Sequence, residues 1–251
     1  MPPRLGNLDL AVFSRFAATM TGYKSESLVL KGALILEAHM EIDDDPADAL
    51  IPKTMHPSIP AYAILNVTHY PESPWGAFTI GEIRIAGRTG VRPRGFVLRS
   101  YVDNENAARE LGARWGYPVT HGDVSLRQFH DRISGRIRVG GKTVLEIEEI
   151  DRESISGNDI QYIASMHLAR NKEDDKLVLV QIDPEFTFSK AERGKPRVVA
   201  LDSDAFGAGN HLKVLNPIGA TFATADVTLP KIRYICNPEL PAMQGTTKVA
   251  A

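Results

Sequence analysis

Cysteine is nearly missing from this chain. Cys236 stands alone in 251 residues, so no disulfide can form within the chain, and a reducing, cytoplasmic setting is expected. A lone thiol of this kind reads as a small buried hydrophobe rather than a nucleophile. An excess of one charge is also missing. The 29 Lys and Arg face 31 Asp and Glu, for a formal net charge of −2, which leaves no electrostatic footprint for nucleic acid or an anionic membrane. Long apolar runs are missing too. The longest, Leu28 to Ala38, is broken by Lys31 and Glu37, well short of the roughly 20 residues a spanning helix needs. Arg4 and Asp9 near the N-terminus are not followed by an apolar segment, so no secretion signal is expected.

Several chemical signatures are absent as well. The histidines, including His69 and His211, have neither His-x-His nor His-Glu-x-x-His spacing, so no metal is expected. Gly207-Ala208-Gly209-Asn210-His211 is a turn, not a dinucleotide fingerprint after a strand. No Gly-x-Ser-x-Gly elbow is present. No cofactor is expected.

What is present is strand material. Hydrophobic residues make up 43% and charged residues 24%, enough for a sizeable core. Alternating or aliphatic-rich segments are predicted to be strands at Ser27–Glu41, Ala61–Tyr70, Gly76–Ala86, Gly95–Val102, Asp123–His130, Arg132–Val139 and Thr143–Ile150. Further strands are predicted at Ile160–Ala169, Leu177–Asp183, Phe186–Ala191, Arg197–Leu201 and Thr221–Ile235. Asp43-Asp44-Asp45-Pro46 opens a short helix that Pro52 stops. Asn104 to Arg114 reads as another helix. Residues 1–21 look like an N-terminal arm, with Leu10, Phe13 and Phe16 offering apolar surface to a neighbouring copy, and residues 237–251 like a flexible tail. With no internal repeat and no dividing linker, the reading is one domain over residues 1–251. It is mainly β with a few short helices, in an antiparallel, closed or double-layered architecture.

One stretch carries more. Tyr101-Val102-Asp103-Asn104-Glu105-Asn106-Ala107 runs from strand into helix, and Trp115-Gly116-Tyr117-Pro118 follows. Together they resemble the signature of the acetoacetate decarboxylase family, a Tyr-Leu-Asp-Asn-Glu strand end, a helix and an aromatic-Pro-Lys-Lys turn. Leu50-Ile51-Pro52, Gly76-Ala77-Phe78-Thr79, Asn216-Pro217-Ile218 and Ala225-Asp226-Val227-Thr228-Leu229-Pro230 resemble further family segments in the same order. The resemblance implies a β-cone or barrel with an internal pocket, assembled into homo-oligomers. It also implies a small-molecule carbonyl or keto-acid substrate. In that family the first lysine forms a Schiff base and its neighbour depresses its pKa. Here Val119 and Thr120 occupy those two positions. The family's first strand glutamate falls near Leu65 or Asn66, and its second on Ile80, with Glu82 two residues on.

Without that amine the imine route is closed, unless another lysine such as Lys31, Lys53 or Lys142 stands in with a depressed pKa. Phe78, Ile80, Glu82 and Arg84 alternate on one strand face. If Ile80 lines the pocket, so do Glu82 and Arg84, and a glutamate in an apolar cavity can serve as general acid or base. The plain alternative is an internal Glu82–Arg84 pair. His121, two residues past Val119, is the second acid–base candidate. Arg99 is a candidate to hold a carboxylate or enolate oxygen. Asn66, Ile80, Arg84, Tyr117, Val119 and Thr120 complete the expected binding wall. The leading expectation is an acid–base enzyme of lyase, dehydratase, isomerase or cyclase type. The alternatives are a decarboxylase or aldolase-type lyase with a displaced lysine, and a non-catalytic small-molecule binding protein.

Overall fold

Aliphatic and β-branched residues at alternate positions give sixteen strands among the described residues, the longest of them 17 residues. The computed structural model describes residues 4–249. In chain order the strands are β1 (Ala18–Met20), β2 (Leu28–Ile42), β3 (His56–Pro57), β4 (Tyr62–Tyr70), β5 (Phe78–Thr89) and β6 (Arg92–Val102). Next come β7 (Val119–His121), β8 (Asp123–Gln128), β9 (Arg132–Val139), β10 (Lys142–Ser154) and β11 (Ala164–Asn171). The last are β12 (Leu177–Ile182), β13 (Glu185–Leu201), β14 (Val214–Leu229), β15 (Tyr234–Cys236) and β16 (Thr246–Lys248). The α-helices are α1 (Leu10–Ser14), α2 (Asp44–Ala47), α3 (Glu105–Trp115) and α4 (Ala242–Gly245). Among the described residues no helix is long and apolar enough to cross a membrane.

The strands form one large sheet in the order β16-β15-β12-β11-β6-β5-β4-β2-β14-β13-β10-β9-β8. Most pairs are antiparallel, as expected. The ladder is mixed, however, because β6 pairs parallel with both β7 and β11, and β1 pairs parallel with β11. It also does not close into a hydrogen-bonded ring, since β8 and β16 are its two ends. Instead the sheet curls until the β8–β9 end packs on β4 and β5. Two glycines permit that approach. A Cβ on Gly81 would sit 2.5 Å from Ile137 Cδ1, and one on Gly135 2.8 Å from Val67 Cβ. Between the layers lies a fully buried aliphatic core that includes Leu36, Leu65, Val67, Ile83, Ile133, Ile137 and Ile147.

Helix α3 begins where the Asn104 side chain accepts from Ala107 N–H. It ends at Gly116, which is left-handed at φ 67° and returns its N–H to Gly112 and Leu111 carbonyls. Gly116 is required twice over, because a Cβ there would also lie 2.9 Å from Ala169 Cβ. Trp115 locks the helix end by donating to Pro230 O at 2.8 Å. The chain then turns through Tyr117-Pro118 into β7, which sets Val119 opposite Ser100.

Several expectations need correction. The arm is not free surface: Phe13 is buried edge-on against Phe96, Leu8 is buried, and Leu10 and Phe16 pack against the same core. The end of the chain is not a loose tail, since β16 pairs with β15 and Val249 N–H bonds Arg233 O. Residues 1–3 of the arm and 250–251 of the tail lie outside the described residues. Phe186–Ala191 and Arg197–Leu201 are one strand, pinned by β10 on one side and β14 on the other. Conversely, the segment Thr221–Ile235 breaks after Leu229, at Pro230.

Glu149, in the middle of β10, is fully buried, and neither carboxylate oxygen has a hydrogen-bond partner among the described residues. Burial, helped by the nearby charge of Glu192 and opposed by Arg152 and Lys190, pushes this carboxyl up to about 8. A folded-state pKa above the unfolded value means the stabilising proton is fully held below the unfolded pKa, and that its contribution is lost as pH rises toward 8. The loss runs at about 1.4 kcal/mol per pH unit. Glu149→Gln cannot ionise, so its melting temperature relative to the native chain is expected to rise steadily from about pH 5 to about pH 8. A constant offset across that range would show that Glu149 titrates normally.

Candidate active site

Register builds the site. Glu37 on β2 pairs with Asn66 on β4, Asn66 with Glu82 on β5, and Glu82 with Ser100 on β6. Four polar side chains thus form one row across four adjacent strands, and Arg84, two residues beyond Glu82, shares the face. Gly95 leaves room for the Arg84 stem, since a Cβ there would lie 3.1 Å from Arg84 Cβ. Arg84 is only 8% exposed. Its Nη2 donates to Glu37 Oε2 at 2.8 Å and its Nη1 to the Ile163 carbonyl at 3.3 Å. Its Nε lies 3.0 Å from Glu82 Oε1, in ion-pair contact but with its N–H not aimed along the line, so that donor has no hydrogen-bond acceptor among the described residues.

The two glutamates flanking Arg84 are held differently. Burial alone would raise Glu37, but the Arg84 charge, with the His39 contact at 2.8 Å, outweighs it and holds this carboxyl below its ordinary range. For Glu82 burial wins. Arg84 and the Ser100 hydroxyl, which donates to Oε2 at 2.9 Å, oppose it only in part, and the Glu37 charge adds to it, so the carboxyl is raised. One cation between two acids favours one ionised and one protonated carboxyl.

These groups open on a cavity of about 50 Å³. Its other walls include Thr68, Tyr70, Ile80, Tyr117, Tyr162 and Ser165. Burial raises all three phenols, so they stay protonated as donors. Of the three, only Tyr162 is hydrogen-bonded within the described chain, to Thr221 Oγ1 at 3.4 Å. Behind the wall, His167 is fully buried. Its Nε2 lies 2.7 Å from Ser165 Oγ, its Nδ1 3.0 Å from the Trp115 carbonyl, and the Tyr117 ring centroid is 4.0 Å from its own.

Of the residues expected from the sequence, Asn66, Ile80, Glu82, Arg84 and Tyr117 come together at this cavity. The internal Glu82–Arg84 pair and the pocket wall are the same residues. Four others lie elsewhere. His121 is exposed at the end of β7 and does not line the cavity. Arg99 leaves by the opposite face, because the β6 alternation sends Ser100 inward. Its guanidinium lies over the Phe16 and Tyr101 rings and donates to Thr120 Oγ1 and Ala205 O, so it ties a turn to the sheet. Thr120 is occupied as that acceptor, and Val119 packs with the cluster around Trp115. Lys31, Lys53 and Lys142 are all exposed, and no lysine lines the cavity among the described residues.

Sequence reasoning missed Glu37, Tyr70, Tyr162 and the Ser165–His167 pair. Glu37 did carry a signal, as the single acid inside an otherwise apolar run. Ser165 and His167 carried a fainter one: two polar residues at strand spacing in Ala164-Ser165-Met166-His167-Leu168.

The family model for acetoacetate decarboxylase (ADC) matches residues 17–237, and the chain belongs to that family. Among solved structures it is similar to the acetoacetate decarboxylase of Legionella pneumophila, with TM-score 0.71 and 16% identity over 83% of this chain and 86% of that one. It is similar as well to the enduracididine biosynthesis enzyme MppR complexed with pyruvate, with TM-score 0.65 and 16% identity over 80% and 88%. An acetoacetate decarboxylase-like enzyme from Sphingomonas wittichii RW1 matches with TM-score 0.63 and 15% identity over 83% and 92%. No curated protein sequence matches the chain.

Arg84 neutralises buried acid on both sides, so removing it strands a carboxylate. Arg84→Met is expected to cost about 3–5 kcal/mol in urea unfolding. Adding Glu37→Gln should recover part of that loss, because the stranded charge goes with it. A double variant no more stable than the single one would show that the arginine contributes by packing alone.

Proposed function

We propose that this chain is an enzyme acting on a small carbonyl or keto-acid compound by acid–base chemistry at Glu82, without a Schiff base. The observation that carries the reading is a raised Glu82 carboxyl held against Arg84 in a cavity with three protonated phenols and no lysine in its wall. A protonated carboxyl beside a carbonyl can donate to the oxygen or return a proton to carbon. Arg84 and the phenols supply donors for a carboxylate or an enolate oxygen. Pyruvate bound to MppR supports a 2-oxo acid as the kind of ligand. The reaction type is of the lyase, dehydratase, isomerase or cyclase kind. It calls on no metal or cofactor, and the setting is cytoplasmic. Convergence of ionisable groups favours catalysis over ligand storage. The exposed positions of Lys31, Lys53 and Lys142 weigh against a displaced lysine.

We further infer that copies of the chain associate. Val199 on β13 and Leu215 and Ile218 on β14 are 51–55% exposed on neighbouring strands. They offer the apolar surface that the buried arm does not.

Two measurements test the catalytic reading. Pyruvate in deuterated water should lose its methyl protons faster with the protein than without it, followed by NMR. Glu82→Gln should slow that exchange by roughly a hundredfold or more, while His121→Asn leaves it within a few-fold. Borohydride added with pyruvate should leave the protein mass unchanged, and a stable adduct on any lysine would end the reading. For assembly, light scattering is expected to give a multiple of the chain mass. A monomer-sized particle at every concentration would count against association.

A further inference from the structure

The Ser165–His167 pair has a geometry that wall packing does not require. Both residues stand on β11 at strand spacing, so both project from the same face. The Trp115 carbonyl can only accept, so the 3.0 Å contact assigns the His167 proton to Nδ1. Nε2 is then an acceptor, and the Ser165 hydroxyl, 2.7 Å away, must donate to it. The arrangement is a nucleophile, a base and a group that fixes the base's tautomer, with a backbone carbonyl as the third member. Ser165 lines the cavity shared with Glu82, Arg84 and Tyr117, whereas His167 stands behind it. Burial, opposed by the Trp115 contact and helped by the Arg84 charge, pushes His167 down to about 3, so the resting imidazole is neutral and its cation needs the negative charge that forms in the cavity as Ser165 attacks.

We propose that Ser165, activated by His167, is a nucleophile for the carbonyl carbon of a small 1,3-dicarbonyl compound, which the site cleaves hydrolytically at a carbon–carbon bond. Ser165 Oγ bonds to the carbonyl carbon and passes its proton to His167 Nε2. The bond from that carbon to the central carbon breaks, and its electron pair stays on the central carbon as an enolate. The Glu82 carboxyl protonates that carbon and releases a ketone. Water then adds to the acyl-serine and gives a proton to the Glu82 carboxylate, while Ser165 leaves as a hydroxyl with the proton held by His167. Water plus dicarbonyl becomes a carboxylic acid plus a ketone, with no oxidant, metal or amine involved. The substrate class rests on the acid–base reading of Glu82, whereas the nucleophile does not. In a cavity whose wall has no lysine, this route still gives the carbanion a stabilised form, because the remaining carbonyl of the substrate is its electron sink.

The test uses p-nitrophenyl acetate, whose leaving group needs no acid. After acid quench, peptide mass spectrometry of the full chain is expected to find one acetyl group on Ser165. The group should be absent in Ser165→Ala and should form roughly a hundredfold more slowly in His167→Gln. No acetyl group on Ser165 in the native chain overturns the proposal, with no dependence on how a variant folds. Equal labelling in a His167→Gln chain that keeps its native circular dichroism overturns the dyad. Acetylacetone is the matched carbon–carbon substrate, followed by loss of its enol absorbance, and cleavage is expected in the native chain but not in Ser165→Ala. If Ser165 is labelled and acetylacetone is cleaved as fast by Glu82→Gln as by the native chain, the acid–base reading of Glu82 fails and the nucleophile stands. If pyruvate exchange depends on Glu82 but Ser165 stays unlabelled, only this inference fails.

Discussion

The structure turns on one buried guanidinium. Arg84 sits at the centre of a strand-built cavity and is the cation against which both Glu37 and Glu82 are folded. Burying a charge is tolerable only when it is paired and hydrogen-bonded, and this arginine meets that condition with one good bond to Glu37, one to a carbonyl and one loose contact to Glu82. The asymmetry matters. The well-bonded acid is held below its ordinary range, and the poorly bonded one is left with the burial penalty and is raised. Two carboxyls on one cation are therefore pushed in opposite directions, and the hydrogen-bond geometry goes with the difference.

The sheet makes this arrangement possible and limits it. Cross-strand register sets Glu37, Asn66, Glu82 and Ser100 in one row, so a slip of one residue in any of those strands would turn its member out of the cavity. The polar row is carried by apolar neighbours on the opposite face, where Leu36, Leu65 and Ile83 fill the core beneath it. The Gly81 and Gly135 contacts hold the curled layers together, and Gly95 gives the arginine stem its space. Packing on one face of β2, β4 and β5 thereby fixes electrostatics on the other.

Much of this was legible in the sequence, and the parts that were not failed for physical reasons. Period-2 alternation located most strands, and the helix read over Asn104 to Arg114 meets α3 within one residue at each end. Alternation along β5 placed Ile80, Glu82 and Arg84 on the pocket face, because a regular strand leaves no other choice. The same rule applied to β6 would have sent Arg99 outward once Tyr101 was seen to face the turn at Ala205, but that turn is 104 residues away in sequence. His121 was misjudged because its placement was taken from Val119, two residues earlier, and Val119 itself packs in the cluster around Trp115 rather than on the cavity. Glu37 was read as an interruption of an apolar run, since nothing local says that an isolated acid has an arginine 47 residues later to meet. The closure of the ladder was likewise beyond local pattern, as it depends on where β8 and β16 stop pairing.

A Schiff-base enzyme needs an amine whose pKa is low enough to attack and an acid–base group to move protons around the imine. This chain gathers buried Glu37, Glu82 and Arg84 at one cavity, and no lysine lines that cavity among the described residues. Val119 remains in register with Ser100, at the end of the same polar row, yet its side chain joins the apolar cluster around Trp115. The buried triad still has a path to solvent. Glu37 also contacts His39, whose side chain is 31% exposed, so one end of the polar row meets solvent. Charge in this site is therefore governed by a chain of contacts from His39 through Glu37 and Arg84 to Glu82 and Ser100, and a change at any one of them is felt by the rest.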